Sequence, residues 1–126
     1  MYTVKEVAAL LELTEHTVRY YTDKGLVPNL QRDEHNNRQF DPAAVNWLLC
    51  VKHLRHCGMG LNDIKTYIAL CQEGDATVPE RHEIMRKQQA AAHAQLEEAK
   101  QRAAYIEEKA NRYFDLIAEM KSEDPI

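Results

Sequence analysis

The sequence lacks a long hydrophobic run, a cysteine framework and an excess of positive charge. No stretch is long and apolar enough to cross a membrane and no secretory signal is found, so we expect a soluble cytoplasmic protein without a membrane partner. Three cysteines are an odd number, which argues against structural disulfides. The 16 Lys and Arg residues are outnumbered by 20 Asp and Glu, giving a net charge of −4. Any nucleic-acid contact must therefore use a local cluster of cations.

The N-terminal segment contains the signals of two short helices joined by a tight turn. Thr3 and Glu6 have capping-box spacing, which predicts a helix from Val4, and Thr14 is a suitable cap for a second helix. The second helix carries mostly polar, hydrogen-bonding side chains, as base edges and phosphates require: Glu15, His16, Thr17, Arg19, Tyr20 and Tyr21. This pattern favours a helix-turn-helix that binds DNA, although a plain corner between two helices has similar signals.

A small hairpin is predicted after the second helix. Gly25 supplies a left-handed residue at the helix end, and Pro28 prevents the helix from continuing. Residues 29–40 have no helical periodicity. Arg32 and Arg38 should lie on the two strands near the tip, where guanidinium groups can hold phosphates. The alternative is a solvated surface hairpin.

Four short motifs follow one another in a specific order. They are Thr-Val-Arg-Tyr-Tyr at 17–21, Gly-Leu-Val-Pro at 25–28, Arg-Gln-Phe at 38–40 and Asp-Pro-Ala-Ala-Val at 41–45. Together they resemble the winged-helix DNA-binding domain of MerR-type transcription regulators. The resemblance implies a homodimer that binds double-stranded promoter DNA between the two recognition boxes of the RNA polymerase holoenzyme, and bends and untwists the spacer. No cofactor, metal or catalytic residue is expected.

The residues expected to contact DNA divide into two groups. We expect Glu15, His16 and Thr17 to face the major groove. Phosphates should be held by Arg19, Tyr20, Arg32 and Arg38. The resemblance adds Arg55 and the start of the fourth helix as backbone contacts. The predicted DNA-binding residues are Thr14, Glu15, His16, Thr17, Arg19, Tyr20, Arg32, Asn37, Arg38 and Arg55. Residues 1–60 carry seven basic and seven acidic side chains, so the excess of acidity lies in the second half.

Two further helices are predicted before residue 75. Asp41 and Pro42 are suited to the N-cap and first position of a third helix, which should stop at Gly58. Its apolar face is predicted to comprise Trp47, Val51 and Leu54. A fourth helix, from about Leu61 to Glu73, places four mainly apolar residues at helical spacing: Ile64, Tyr67, Ile68 and Cys71.

The C-terminal part reads as one long helix. Between Thr77 and Lys121 there is no glycine, and the only proline, Pro79, falls in the first turn, where it is tolerated. From Met85 to Met120, eleven residues alternate spacings of four and three, and all of them except Gln89 are apolar or aromatic, which is a heptad seam. Such a seam needs a partner, most simply a second copy. The predicted dimerisation residues are Leu96, Ala99, Ala103, Ile106, Ala110, Tyr113 and Ile117.

The cysteines are the candidate sensors. Cys50, His53 and Cys57 share one flank of the third helix. Cys50 and Cys57 would be about 10.5 Å apart along the helix axis, which is too far for a disulfide between them. Residues 73–81 resemble the linker of the electrophile-responsive AdhR and NmlR branch, which implies a reactive cysteine on the third helix. Here His53 stands where that cysteine is expected, one turn from each neighbouring thiol. The alternative is that Cys50, Cys57 and Cys71 are small core residues.

Three other functions are alternatives to an electrophile-responsive regulator. His53 and Cys57 have chelating spacing for a metal-responsive regulator, but a thiolate site usually needs three or four ligands. An enzyme would need a cleft, and a chain of packed helices and coiled coil leaves little room for one. An excisionase-like architectural DNA-binding protein would have a winged domain without the dimer helix.

The predicted fold is mainly α. Residues 1–75 form a winged helix-turn-helix domain with two accessory helices. Residues 76–126 form the dimerisation helix of an antiparallel coiled coil and a short tail.

Overall fold

The computed structural model describes residues 1–122 and confirms a mainly helical fold with a small hairpin wing and a long C-terminal helix. In chain order, the elements are α1 (Val4–Leu11), α2 (Glu15–Asp23), β1 (Gln31–Arg32), β2 (Arg38–Gln39), α3 (Pro42–His56), α4 (Leu61–Gln72), a 3₁₀ turn (Gly74–Thr77) and α5 (Val78–Ser122). One compact unit comprises Met1–Ile84, and a second begins at Met85. The end of the predicted tail, 123–126, lies outside the described residues.

Helices α1 and α2 begin where capping chemistry predicts. The Glu6 amide donates to Thr3 Oγ1 at 3.1 Å, and the Thr3 amide donates to Glu6 Oε1 at 3.0 Å, which completes the capping box. Helix α1 ends at Glu12, which adopts the left-handed conformation with φ of 56°. Thr14 Oγ1 accepts the Thr17 amide at 3.0 Å and so starts α2. These two local caps fix the length of the turn between the helices.

The hairpin wing has a short antiparallel ladder and a turn that side-chain hydrogen bonds hold. Gln31 pairs with Gln39, and Arg32 pairs with Arg38, so the two arginines face each other at the tip as predicted. The Asp33 carboxylate accepts the His35 amide at 2.9 Å and the Asn37 amide at 2.8 Å. These hydrogen bonds hold the pKa of Asp33 below its ordinary value, with the Asn37 amide as the largest cause.

The core of the first unit lies among α1 to α4 and the base of the wing. Asp41 Oδ1 accepts the Ala44 amide at 2.8 Å and caps α3, with Pro42 in its first turn. On the predicted apolar face of α3, Val51 is buried and Trp47 and Leu54 are half-buried, and Ala44 and Leu48 are the other buried residues of the helix. The largest fully buried side chains are Phe40, Leu26, Leu48, Met59, Ile64, Val7, Val18 and Val51.

A polar junction links α4 to the first turn of α5. Thr77 is 3% exposed, and its Oγ1 donates to the carbonyls of Leu70 at 2.5 Å and Gly74 at 3.0 Å. Arg81 donates through Nε to Thr77 Oγ1 at 3.0 Å and through Nη2 to the Gly74 carbonyl at 2.7 Å. The sequence pattern did not predict this 3₁₀ turn, because its partners are carbonyls that close only when the chain folds.

Helix α5 has 45 residues, a length of about 68 Å, and begins one residue after the predicted start. Its apolar side chains beyond Met85 are largely exposed in the single chain, including Leu96, Tyr105, Ile106, Tyr113, Phe114, Ile117 and Met120. Within residues 1–122, no helix combines the length and apolar composition needed to cross a membrane.

Candidate nucleic-acid interface

The first turn of α2 presents two exposed polar side chains. Glu15 and His16 are exposed, whereas the Thr14 hydroxyl donates to Thr17 Oγ1 at 2.8 Å and accepts the Thr17 amide. Both threonine hydroxyls therefore serve the helix cap, and Thr17 is half-buried. Of the three residues predicted to read bases, Glu15 and His16 are the exposed ones.

Arg19 follows one turn later on α2. Its Nη2 lies 3.3 Å from Glu15 Oε1, and each side chain of this pair is about half exposed. Exposed pairs of this kind contribute roughly 0 to 1 kcal/mol. The Arg19 guanidinium can therefore exchange the carboxylate for a phosphate at little cost to the fold.

Arg38 ties the wing to α2. Its Nη2 donates to Asp23 Oδ1 at 2.6 Å, its Nε donates to Thr22 Oγ1 at 2.9 Å, and its side chain is only 17% exposed. The Thr22 hydroxyl in turn donates to the Arg19 carbonyl at 2.8 Å. The sequence predicted a phosphate ligand at this position, and the structure gives Arg38 a prior role in orienting the wing beside α2.

Arg32 is the more accessible arginine of the wing. It is exposed, and its Nη1 donates to the Asn36 carbonyl at 3.0 Å across the tip. Asn37 is also exposed, but its amide groups bond to Asp33, with Nδ2 to Oδ2 at 3.2 Å. The wing tip thus offers one guanidinium on a turn that its own hydrogen bonds keep rigid.

A second surface, with two cations and the Asp63 carboxylate, lies between α2 and the start of α4. Tyr20, Lys24 and Arg55 line a groove that continues to Gly60 and Asn62. The Lys24 Nζ lies 5.5 Å from the Tyr20 ring centroid, within cation–π range. Gly60 is the N-cap of α4 and has no side chain to bond the first amides of the helix. Free amides at a helix start, together with nearby cations, are suited to binding a phosphate.

The structure places two exposed lysines, which the sequence analysis did not name, beside the predicted residues. Lys24 lines the groove beside Arg55, together with Asn62 at the predicted start of the fourth helix, and Lys5 lines a groove between α2 and the wing with Arg19. Their positions follow from packing between elements, and a lone lysine carries no local signal. Lys52 on α3 is engaged within the fold, because its Nζ donates to the Leu11 carbonyl at 2.6 Å at the end of α1.

The three predicted sensor residues lie in different environments. Cys50 is half-buried, whereas His53 and Cys57 are exposed, and Cys57 is the C-cap of α3. Burial raises the pKa of the Cys50 thiol, and the nearby Cys71 on α4 adds to that shift. In the part of the chain that the structure describes, no three His, Cys, Asp or Glu side chains are arranged to hold a metal ion.

The fold and sequence match one known family. The model of the MerR HTH family regulatory proteins matches residues 2–71, more than half of the chain. This chain belongs to the MerR family. An uncharacterised HTH-type transcriptional regulator of Haemophilus influenzae is 33% identical over 92% of this chain and 78% of its own length. The MerR-family resemblance drawn from the sequence motifs is thereby confirmed.

Two further relatives bear on function. The crystal structure of HiNmlR, a MerR family regulator lacking the sensor domain and bound to promoter DNA, matches with a TM-score of 0.79, 32% identity and 93% coverage of each chain. The regulator AdhR of Bacillus subtilis is 33% identical over 65% of this chain, and the matched segment covers 59% of the length of AdhR. Both relatives are regulators of transcription. The present MerR-family chain is a DNA-binding transcriptional regulator.

Proposed function

We propose that this MerR-family regulator binds a pseudo-palindromic promoter element as a homodimer and switches transcription by distorting the spacer between the two polymerase recognition boxes. The observation that carries the proposal is the apolar seam of α5, whose large side chains from Leu96 to Met120 are exposed in a single chain. RNA polymerase holoenzyme at the same promoter is the partner that reads the distortion. The energy for bending comes from phosphate contacts made on both half-sites.

The seam residues argue for a second copy as the partner of α5. Ile106 and Tyr113 are each 64% exposed, and Leu96 is 51% exposed. Full burial of a large apolar side chain contributes about 1.5 to 3 kcal/mol. Ala99, Ala103 and Ala110 also occupy seam positions, where small side chains permit close approach of two helices. In an antiparallel pair, the seam of one copy would pack against the seam of the other copy.

Two cationic surfaces support the DNA half of the proposal. Arg19 and Arg32 lie on the wing side of α2, and Lys24 and Arg55 lie on the side of the α4 start. Cations on both flanks of a recognition helix can hold the backbone on either side of one major groove. Glu15 and His16 would then meet the bases between these clamps.

The first experiment is sedimentation of the full chain, free and mixed with DNA fragments that it retains from its own genome. A dimer in dilute solution and one dimer per palindromic fragment would support the proposal. A monomer that still binds and bends DNA would instead indicate the architectural, excisionase-like alternative, and no retained fragment would contradict both.

A pair of substitutions tests the division between base reading and phosphate binding. His16→Ala should relax preference at one base pair by about 1 to 3 kcal/mol, whereas Arg32→Ala should weaken binding to all sequences and reduce the salt dependence by about one ion. His35→Ala, on the exposed wing turn, is the control and should change neither quantity. Uniform weakening by both His16→Ala and Arg32→Ala would contradict the assignment of roles.

We also propose that the signal is a small electrophile, an aldehyde or a quinone, which modifies Cys57 or Cys50 on α3. The relationship to AdhR over the matched segment and the exposure of the Cys57 thiol support this. Promoter-reporter induction by formaldehyde, methylglyoxal and a quinone should fall in Cys50→Ser and Cys57→Ser strains. Full induction in the double variant would overturn the proposal.

A further inference from the structure

An ion pair lies across the first turn of α2, on the surface proposed to meet DNA. The Arg19 Nη2 atom lies 3.3 Å from Glu15 Oε1, and the two side chains are 49% and 47% exposed, respectively. Both line the groove between α2 and the wing that also contains Lys5, Asp33 and Arg38. A carboxylate therefore stands among the cations of this groove, at a place where DNA phosphates would repel it.

Two of the other charges in this groove are bonded within the fold. Arg38 donates to Asp23 Oδ1 at 2.6 Å, and its side chain is 17% exposed. The Asp33 carboxylate accepts two backbone amides of the wing turn. Glu15 and Arg19 instead bond to each other through an exposed contact, which is a weak interaction in water. DNA can therefore replace the partner of either side chain without disturbing the fold.

The approach of DNA affects the two members of the pair in opposite ways. Arg19 gains a phosphate as its partner, whereas Glu15 loses its cation and part of its water. A carboxylate that loses water without gaining a hydrogen-bond donor destabilises the complex. The net contribution of Arg19 to DNA binding therefore depends on which group lies opposite Glu15.

The chemistry of the base edge decides what Glu15 meets. Glu15 is the first residue of α2, and the first residues of a recognition helix contact bases in the major groove. There, guanine offers the O6 and N7 acceptors and thymine offers O4, and all of these repel a carboxylate. Adenine pairs its N6 donor with the N7 acceptor, which suits an amide side chain. Cytosine presents the N4 amino group, which is the donor that a carboxylate accepts best.

We propose that Glu15 couples the choice of base to the phosphate contact of Arg19. Opposite a cytosine, Glu15 accepts the N4 amino group and Arg19 turns to the DNA backbone. Opposite any other base, Arg19 stays with Glu15 and its phosphate contact is lost. Glu15 is thus a specificity-determining residue that acts mainly by weakening the binding of wrong sequences. This inference rests on the proposed operator binding.

The first test measures base preference at each position of the DNA fragment that the full chain retains from its own genome. The wild-type chain should prefer cytosine at one position of each half-site by about 10-fold or more. Glu15→Gln should move that preference to adenine, because a glutamine amide can pair with N6 and N7. Glu15→Ala should show neither preference, and helical circular dichroism checks that both variants fold.

The affinity for DNA of unrelated sequence should change in the opposite direction. Glu15→Gln and Glu15→Ala should each bind it about 3-fold more tightly, because a negative charge is removed from the surface that faces the phosphates. The control is Glu73→Gln, which removes the same charge from an exposed residue at the C-cap of α4. It should leave both the base preference and the affinity unchanged.

A cycle of two substitutions tests the coupling itself. While Glu15 is present, Arg19→Ala should weaken operator binding by about 10-fold and binding to unrelated DNA by less than about 2-fold. Added to Glu15→Ala, the same substitution should weaken binding to both kinds of DNA equally, because Arg19 no longer has a competing carboxylate.

Two results would overturn the coupling while leaving the proposed function intact. One is a chain that binds its operator specifically and keeps the same base preferences in Glu15→Gln and Glu15→Ala. The other is an equal loss from Arg19→Ala on operator and unrelated DNA while Glu15 is present. A wild-type chain without any sequence preference would overturn the proposed function together with this inference.

Discussion

The two compact units of this chain differ in how far their large side chains are buried. In residues 1–84, Phe40, Leu48 and Ile64 are fully buried, and cations such as Arg38 and Lys52 tie separate elements together. From Met85 onward, the large apolar side chains Ile106 and Phe114 are mostly exposed, and the resolved ion pair Arg102–Glu98 joins neighbours on the same helix. The first unit packs its large apolar side chains in its own core, whereas the second leaves Ile106 and Phe114 exposed along one helix.

This difference indicates where each region obtains its stability. The first unit has a hydrophobic core and side-chain ties that span the sequence, so one chain suffices to specify it. A helix without tertiary packing is marginally stable in water even when its sequence favours helix. The apolar stripe of the second unit therefore makes sense as one half of a core that a second chain completes.

The strongest way to break this contrast is Ile106→Asp. Burial of an unpaired carboxylate in the proposed seam would cost several kcal/mol, so the dimer and its specific DNA binding should both be lost while the first unit stays folded. Sedimentation and DNA retention measure the two effects. Ala104→Asp introduces the same residue outside the seam on the same helix and should leave both unchanged. A dimer that survives Ile106→Asp would show that the seam lies elsewhere.

The only two phenylalanines of the chain give a direct measure of the contrast. Phe40 is fully buried and Phe114 is 73% exposed. Phe40→Ala should lower the free energy of unfolding by about 3 to 5 kcal/mol, because it leaves a cavity in the core. Phe114→Ala, which flanks the seam, should cost less than 1 kcal/mol. Urea unfolding at one fixed chain concentration measures both, and equal losses would mean that Phe114 is buried in the assembled protein.

Arg38 and Arg32 provide a smaller test within the wing. Arg38→Ala removes two hydrogen bonds to α2 and should cost about 1 to 2 kcal/mol, whereas Arg32→Ala should change stability by less than about 0.5 kcal/mol. Chemical denaturation gives these values, and DNA binding gives the complementary result, since Arg32→Ala should remove the proposed phosphate contact and a single exposed hydrogen bond to the Asn36 carbonyl. If Arg38→Ala leaves the fold unaffected but weakens DNA binding, the tie to Asp23 is incidental and the guanidinium acts on DNA.

The features that were predictable from sequence depend on neighbours along the chain. Thr3, Thr14 and Asp41 each cap a helix through an amide three residues later, and the heptad seam repeats within one helix, so local patterns reveal them. Features that depend on distant partners were not predicted. Arg38 meets Asp23 fifteen residues away, and Lys52 meets the Leu11 carbonyl on another helix. Such contacts form only when packing brings separate elements together, and no residue spacing encodes them.

The smallest expected effect concerns the turn of the wing, which is stabilised by charge and not by a core. Hydrogen bonds from Asn37 and His35 lower the pKa of Asp33 in the folded state. The carboxylate therefore stabilises the turn fully above the unfolded-state pKa of about 3.9, and this contribution is lost as the pH falls through the lower folded-state pKa. Titration of Asp33 by NMR, with the Asn37 amide as a second reporter, should follow that order. Asp33→Asn should remove the pH dependence and Glu34→Gln should retain it, and an Asp33 titration at or above the ordinary value would show that the turn is not held by its charge.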